Sequence, residues 1–133
     1  MKILKISQQY ELQNIPSILY HATFKPLLKS IKKNGLGNYD YIKYINWENN
    51  NRGVWLHRNT EEAKDYVETS ENENIPEEWF DQIIAIPIKT INLDLKLLIP
   101  DPELEANRLY NDSSFKNDAD SYDSFLYKGI IYI

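Results

Sequence analysis

Residues 17–23, Ser-Ile-Leu-Tyr-His-Ala-Thr, run directly into a lysine-rich segment that ends at Asn34-Gly35, and these two segments decide the fold class. The first segment has the apolar and aromatic content of a β-strand as far as His21. Thr23 belongs to the residue types that cap helix N-termini, and the Asn-Gly pair suits the left-handed cap at a helix C-terminus. Between these caps, apolar side chains recur at helical spacing: Leu27, Leu28 and Ile31. We therefore predict a β-strand followed by an α-helix.

Residues 53–57, Gly-Val-Trp-Leu-His, form a second predicted strand, and a second helix follows it. Asn59 with Glu62 three residues later resembles a capping box, which is a signal for a helix start. One face of this helix is apolar: Ala63, Tyr66 and Val67. Two strand-to-helix units followed by further strands indicate an α+β domain built on a mainly antiparallel sheet.

The remaining segments are predicted to be strands, one helical turn and polar loops. Residues 82–88, Gln-Ile-Ile-Ala-Ile-Pro-Ile, are the most continuous apolar run and predict a buried strand. A single helical turn is expected over residues 76–80. Further strands are predicted over residues 3–6, 93–99 and 125–133, and loops over residues 37–52, 68–78 and 104–123.

The length of the chain, 133 residues, fits one domain and leaves no room for two full cores. We predict a single domain over residues 1–133, in which residues 1–16 form an N-terminal strand and arm. Hydrophobic residues make up 42% and aromatic residues 13%, which is enough for a core without metal or disulfide cross-links. Because the sequence has no cysteine, thiolate nucleophiles and thiolate metal sites are excluded.

The charge of the chain limits its partners. A net charge of −5 and a pI near 5.0 argue against sequence-independent binding of nucleic acid, which needs a basic surface. Residues 1–7 are too short and too charged for a signal peptide, and no apolar run approaches the roughly 18 residues that span a membrane. We therefore expect a soluble, cytoplasmic protein without membrane contact.

Residues 19–23, Leu-Tyr-His-Ala-Thr, and residues 28–36, Leu-Lys-Ser-Ile-Lys-Lys-Asn-Gly-Leu, together resemble the first strand and helix of ADP-ribosyltransferase-like proteins. The similarity is to the branch that includes diphtheria toxin and the poly(ADP-ribose) polymerases, and it suggests a small bacterial or phage member. Other parts of the family pattern are matched by residues 53–56, 63–66, 76–83 and 127–130, so the resemblance covers about residues 17–133.

The resemblance implies a fold and a ligand. Members of this superfamily have two mainly antiparallel sheets that form a central cleft, with a few helices, and they bind NAD there as a substrate and transfer its ADP-ribose. By the family pattern, His21 would hydrogen-bond a ribose hydroxyl, with Ala22 and Thr23 beside it. Tyr66 would stack on the nicotinamide ring, and Trp55 stands where relatives often carry a tyrosine.

Arg58 is a candidate for ligand binding on chemical grounds. It follows the second strand and precedes the predicted helix start. Exposed N–H groups at a helix N-terminus and a guanidinium both favour anions, so Arg58 could lie near the diphosphate of the ligand. A solvated turn with Asn59 as the helix cap accounts for the same residues.

The other site residues also have purely structural interpretations. His21 could be a core histidine with a satisfied backbone partner, and Thr23 could be only a helix cap. Tyr66 is ordinary core material at its helix spacing, and a strand tryptophan such as Trp55 most often serves packing. His21 and His57 do not by themselves make a metal site, because no further residue accompanies them at metal-ligand spacing.

Leu126 is where the chain departs from the family pattern. Active members carry a glutamate on the late strand, which stabilises the transition state as nicotinamide departs, and the match at residues 127–130 places Leu126 at that position. Asp123 is the candidate acid in its place, although it would need a bulge or register shift to reach the cleft. Asp120, also a few residues upstream, could take its place by the same kind of shift, and Asp81 and Glu78 are candidates with less support.

Two hypotheses follow. The first is an enzyme that cleaves NAD and passes ADP-ribose to a macromolecule or water, with His21 and Tyr66 holding NAD and Asp123 assisting. The second is a catalytically inactive module on the same fold that binds a nucleotide or a protein partner. Leu126 favours the second hypothesis, and the intact motif around His21 keeps the first one open.

Overall fold

A computed structural model describes residues 12–37, 53–69, 75–101 and 119–133 of the chain. These residues form an α+β structure with one five-stranded antiparallel sheet, which confirms the predicted fold class. The predicted strand over residues 3–6 and most of the predicted loops over 37–52 and 104–123 lie outside the described residues.

The sheet has the strand order β3-β1-β2-β5-β4. The strands are β1 (Ile18–Phe24), β2 (Val54–His57), β3 (Ile83–Lys89), β4 (Leu98–Pro100) and β5 (Ser124–Tyr127). Two α-helices accompany them, α1 (Leu28–Asn34) and α2 (Thr60–Thr69). Short 3-10 turns occur at Lys25–Leu27, Glu77–Asp81, Thr90–Asn92, Leu95–Leu97 and Ala119–Ser121.

The strand β1 is longer than predicted, and the assignment of Thr23 as a helix cap is wrong. Thr23 pairs with Ile84 inside the β1–β3 ladder, and the chain turns only after Phe24. The ring of Phe24 meets that of Phe80 edge-on, with centroids 5.3 Å apart. Because this aromatic packing holds Phe24 in the sheet, the strand continues past the residue type that signalled a helix start.

The other helix boundaries agree with their sequence signals. The Asn59 side chain accepts a hydrogen bond of 2.8 Å from the main-chain N–H of Glu62, as an N-cap does. At the end of α1, Gly35 has a φ of 87°, in the left-handed region that favours glycine, and its N–H donates to the Ile31 carbonyl over 2.7 Å. The predicted helical turn near residue 78 is present as the 3-10 turn Glu77–Asp81.

The strand β3 is not the buried strand that its apolar run predicted. Among the strands of the described residues it lies at the edge of the sheet beside β1, and its second half alternates between buried and exposed residues. Pro87 has no N–H for a ladder and is exposed, which suits an edge strand. The run of apolar residues therefore overstated the burial of β3.

The two faces of the sheet are covered by different elements. Because side chains alternate along a strand, Leu56 faces one side, and Trp55 and His57 face the other. The Leu56 side carries the main core, against which α1 packs, and the Trp55 side is covered by the α2 residues Ala63 and Tyr66. Buried core residues include Leu19, Val54, Leu56, Leu98, Phe125 and Tyr127.

The joint between β1 and β2 is narrow. β1 pairs with β3 along its whole length, whereas its register with β2 consists of one pair, Tyr20 with His57. We call this joint the seam. The predicted pair of separate sheets is not seen in the described residues, and it stays a prediction. Among the same residues, no helix has the length and apolar character needed to cross a membrane.

Candidate functional site

His21 bridges the seam through its side chain. The residue lies in the middle of β1, and its Nδ1 atom is 2.9 Å from the main-chain carbonyl oxygen of Trp55 on β2. A carbonyl oxygen only accepts hydrogen bonds, so Nδ1 carries the proton and donates it. In the neutral ring the remaining nitrogen, Nε2, is therefore an acceptor.

The neutral form of His21 is strongly favoured. Burial lowers the pKa of His21 from 6.5 to about 4, and the nearby His57 lowers it too, while the hydrogen bond to the Trp55 carbonyl partly offsets this. At neutral pH the ring is thus uncharged and fixed in one tautomer. A neutral acceptor atom fixed in this way is better suited to accept a hydrogen bond from a ligand hydroxyl than to bind an anion.

His57 is the second histidine at the seam. Its side chain is only 6% exposed, and its Nε2 atom has no hydrogen-bond partner within the described part of the chain. Burial lowers the pKa of His57, and the carboxylates of Glu62 and Asp101 partly offset that effect. Asp101 is itself held by the hydroxyl of Ser124, the register partner of His57, over 3.0 Å.

Trp55 and Tyr66 form an aromatic pair beside the seam. The ring of Tyr66 on α2 lies 5.7 Å from the ring of Trp55 and 5.3 Å from that of His57, centroid to centroid. Trp55 is buried, whereas Tyr66 is 43% exposed. Tyr66 is therefore not an ordinary core residue, because it covers two buried rings with one side and meets solvent with the other.

Ala22 and Thr23 lie next to His21 in the β1 ladder. Both residues are buried, and they pair with Ala85 and Ile84 of β3. Their contribution to ligand binding, predicted from the family pattern, is not tested by these contacts. Ala22 and Thr23 follow the seam in the chain, so any contact they make with a ligand would be made from that part of β1.

The Arg58 side chain is held by hydrogen bonds to the segment before β5. Its Nε donates to the Tyr122 carbonyl over 2.8 Å, and its Nη2 donates to the Ala119 carbonyl. The guanidinium also lies 3.9 Å from the Asp120 carboxylate and over the Phe125 ring. These contacts give Arg58 a structural role, and its predicted contact with a diphosphate stays a prediction without support from them.

Leu126, which the family resemblance would align with the catalytic glutamate, is a core residue. It is fully buried in β5 and pairs with Trp55 on one side and Ile99 on the other. Register partners lie on the same face of a sheet, so Leu126 faces the side that carries Trp55 and Tyr66. This face of the sheet therefore has an apolar side chain beside Trp55.

The acidic residues that could replace the glutamate lie in turns outside the strands. Asp123 is exposed in the turn before β5, and Asp120 lies beside Arg58. Glu78 and Asp81 are exposed in the turn that precedes β3. In the four described ranges, no three His, Asp or Glu side chains cluster as metal ligands would.

Comparisons with protein-family models, with curated proteins and with solved structures found no match. The description of the site therefore comes from the contacts among its own residues. The His21 ring contacts the main-chain carbonyl of Trp55, the rings of Trp55 and Tyr66 contact each other, and Leu126 adjoins Trp55 in register. Because Tyr20 is the register partner of His57, the His21 side chain faces the Leu56 side of the sheet, opposite the Trp55 and Tyr66 rings.

Sequence reasoning missed the place of His57 in this set. Trp55 and His57 are two residues apart on one strand, so alternation alone puts both rings on the same face. The anchoring of Arg58 had no comparable signal, because its partners are main-chain carbonyls about 60 residues away in the sequence.

Proposed function

We propose that the protein is an ADP-ribosyltransferase-like module that binds NAD or a related nucleotide around His21, Trp55 and Tyr66. We further propose that it has little or no ADP-ribosyl transfer activity. The proposal joins the family resemblance of residues 17–36 to the contacts at the seam.

The observation that carries the proposal is the hydrogen bond from His21 Nδ1 to the Trp55 carbonyl. It fixes Nε2 as an acceptor, and the low pKa keeps the ring neutral at physiological pH. A ribose hydroxyl can donate to such an atom without any change in protonation. This is the role that the family pattern gives to the histidine of its first strand.

The narrow joint between β1 and β2 also supports the proposal. A single register pair holds the two strands together, with β3 and β1 on one side and β2, β5 and β4 on the other. Under the proposal, the ligand would lie where the two halves of the sheet diverge beyond this pair.

Tyr66 supplies a stacking surface. Its ring is exposed on one side and lies beside the seam. An offset aromatic pair contributes about 0.5–1.5 kcal/mol beyond the burial of its area, so a nicotinamide or adenine ring would gain from this contact.

Leu126 is the reason for proposing binding with little turnover. A buried leucine offers no charge to the oxocarbenium-like transition state, and removal of one stabilising group costs about 3–4 kcal/mol in other enzymes. The competing hypothesis is an active transferase that uses Asp123. It requires this exposed carboxylate to reach the ligand from the turn before β5.

One experiment separates these functions. The protein is titrated with NAD in a calorimeter, and free nicotinamide is measured in the same samples after prolonged incubation. We expect binding heat without release of nicotinamide. Release at a rate that scales with protein concentration would favour the transferase, and the absence of binding heat for both NAD and ADP-ribose would exclude nucleotide binding.

A further inference from the structure

The first helix carries a cluster of like charges. Exposed lysines lie on α1 and on the 3-10 turn that leads into it, and we call them the basic row: Lys25, Lys29, Lys32 and Lys33. Among the residues that the structure describes, no acidic side chain forms an ion pair with these ammonium groups. Like charges three or four residues apart in a helix repel each other, so α1 carries an electrostatic cost that its own fold does not offset.

The second helix carries the opposite charge at similar spacing. On the side of α2 away from the buried Ala63, exposed carboxylates follow at intervals of four and three residues, and we call them the acidic row: Glu61, Asp65 and Glu68. The remaining charges of α2, Glu62 and Lys64, cancel each other. The basic row extends from Lys25 to Lys33 at intervals of four residues. At a rise of about 1.5 Å per residue, each row covers about 10–12 Å, so the two rows match in length.

The two rows lie on opposite sides of the sheet. α1 packs on the Leu56 side, and α2 covers the Trp55 side. One molecule therefore cannot bring its own two rows together, whereas a second molecule can present its acidic row to the basic row of the first.

We infer that the basic row of one molecule binds the acidic row of a second copy of this chain. A contact between two different surfaces is heterologous, so the copies associate head to tail. Nucleotide binding plays no part in this contact. The net charge of −5 works against nucleic acid as the partner, because its phosphates extend beyond the basic row and meet the acidic remainder of the surface.

The strength of this contact is limited and depends on salt. Exposed ion pairs each contribute little to binding, and the net charge of −5 makes two copies repel each other at long range. At an ionic strength of 0.1 M the Debye length is about 10 Å, so distant charges are screened from each other while charges in direct contact still attract. The association should therefore require a high protein concentration and should be lost at high salt.

Sedimentation velocity measures the association. For the wild type we expect the average sedimentation coefficient to rise with protein concentration at about 0.05 M salt and to stay constant at about 0.5 M salt. Two variants each reverse one row. Lys25→Glu with Lys29→Glu reverses part of the basic row, and Asp65→Lys with Glu68→Lys reverses part of the acidic row. Both should fold, because they place acids near a helix N-terminus and lysines towards a helix C-terminus.

A mixture of the two variants gives the sharpest result. Each variant alone should stay monomeric at low salt, whereas an equal mixture should associate, because each variant then offers the charge that the other lacks. The matched control is Lys89→Glu with Lys96→Glu, which changes the net charge as much as the basic-row variant does, at exposed positions outside both helices. We expect this control to retain most of the association.

Three results would overturn the inference. The first is a wild type that stays monomeric at low salt, including one whose basic row binds an acidic peptide or an oligonucleotide instead. The second is a mixture of the two folded variants that does not associate. The third is a control that loses the association as completely as the basic-row variant, because net charge alone would then account for the effect.

Discussion

The Nδ1 atom of His21 donates a hydrogen bond of 2.9 Å to the Trp55 carbonyl and so joins β1 to β2 at a point where their ladder has one register pair. This contact fixes the tautomer of the ring and leaves Nε2 as an acceptor. A residue that the family pattern assigns to ligand binding therefore also holds the two halves of the sheet together.

The buried neutral state of His21 should make stability depend on pH. The unfolded chain binds a proton at His21 below about pH 6.5, whereas the folded chain resists protonation down to about pH 4. The free energy of unfolding should therefore be fully retained above pH 6.5 and should fall as the pH drops towards 4. The shift corresponds to about 3 kcal/mol.

The variant His21→Asn measures this contribution. Its amide can still donate to the Trp55 carbonyl, but it does not titrate. Urea unfolding at pH 7.5, 6.5 and 5.5 should show a smaller loss of stability for the variant than for the wild type. Parallel losses in the two proteins would mean that His21 is not held neutral in the folded state.

Removal of Arg58 should loosen the segment before β5. In Arg58→Ala the carbonyls of Ala119 and Tyr122 lose their donors, and we expect a loss of about 1–3 kcal/mol in the free energy of unfolding. Arg58→Lys should recover only part of it, because an ammonium lacks the planar fork of a guanidinium.

Lys64→Ala, at an exposed position of α2, is the matched control for the loss of a positive charge and should change stability by less than about 0.5 kcal/mol. Nucleotide affinity decides whether Arg58 has a second role. A large loss of NAD binding in an Arg58 variant that is still folded would support the predicted contact between Arg58 and the diphosphate.

The helix signals were predictable from sequence because they act within a few residues. The Asn34-Gly35 end of α1 and the Asn59 start of α2 depend on local backbone geometry, which neighbouring residues fix. Thr23 failed as a signal because a tertiary contact decided its conformation. The packing of Phe24 against Phe80 keeps the chain in the sheet.

The site was predictable only in part, because tertiary contacts decide the rest of it. His21, Trp55 and Tyr66 came from a family resemblance, and their role in binding stays a prediction; the structure shows the His21 ring at the Trp55 carbonyl and the Trp55 ring against Tyr66. The anchoring of Arg58 and the burial of His57 depend on which segments meet in space. Strand order decides this, and the sequence pattern does not encode the order.

Gly35 should tolerate no side chain. It has a φ of 87°, and an added Cβ would lie 2.7 Å from Cγ2 of Ile130. We expect Gly35→Ala to cost roughly 1–3 kcal/mol, measured by thermal or urea unfolding, because the backbone strain adds to the steric clash. Lys32→Ala in the exposed part of α1 is the control and should have little effect. A neutral Gly35→Ala would contradict the left-handed end of α1.

Leu126 should behave as a core residue, despite its place in the family pattern. The change Leu126→Glu buries a charge between β2 and β4, and we expect a loss of about 3 kcal/mol or more. Leu126→Met conserves the volume and should cost less than about 1.5 kcal/mol.

The same variant tests the alignment with the family. Under conditions where Leu126→Glu is folded, release of nicotinamide from NAD should exceed that of the wild type if the new carboxylate reaches a ligand held by His21. A folded Leu126→Glu protein with unchanged release would show that Leu126 does not occupy the position of the family glutamate.

The affinity for NAD of wild type and His21→Asn, measured by calorimetry at pH 7.5, tests the central claim most directly. The variant keeps a donor for the Trp55 carbonyl and loses only the acceptor Nε2, so its fold should be preserved. We expect measurable binding in the wild type and at least a roughly tenfold weaker affinity in the variant, equal to about 1.4 kcal/mol. A folded His21→Asn protein that binds NAD as tightly as the wild type, or a wild type that does not bind NAD, would contradict the claim.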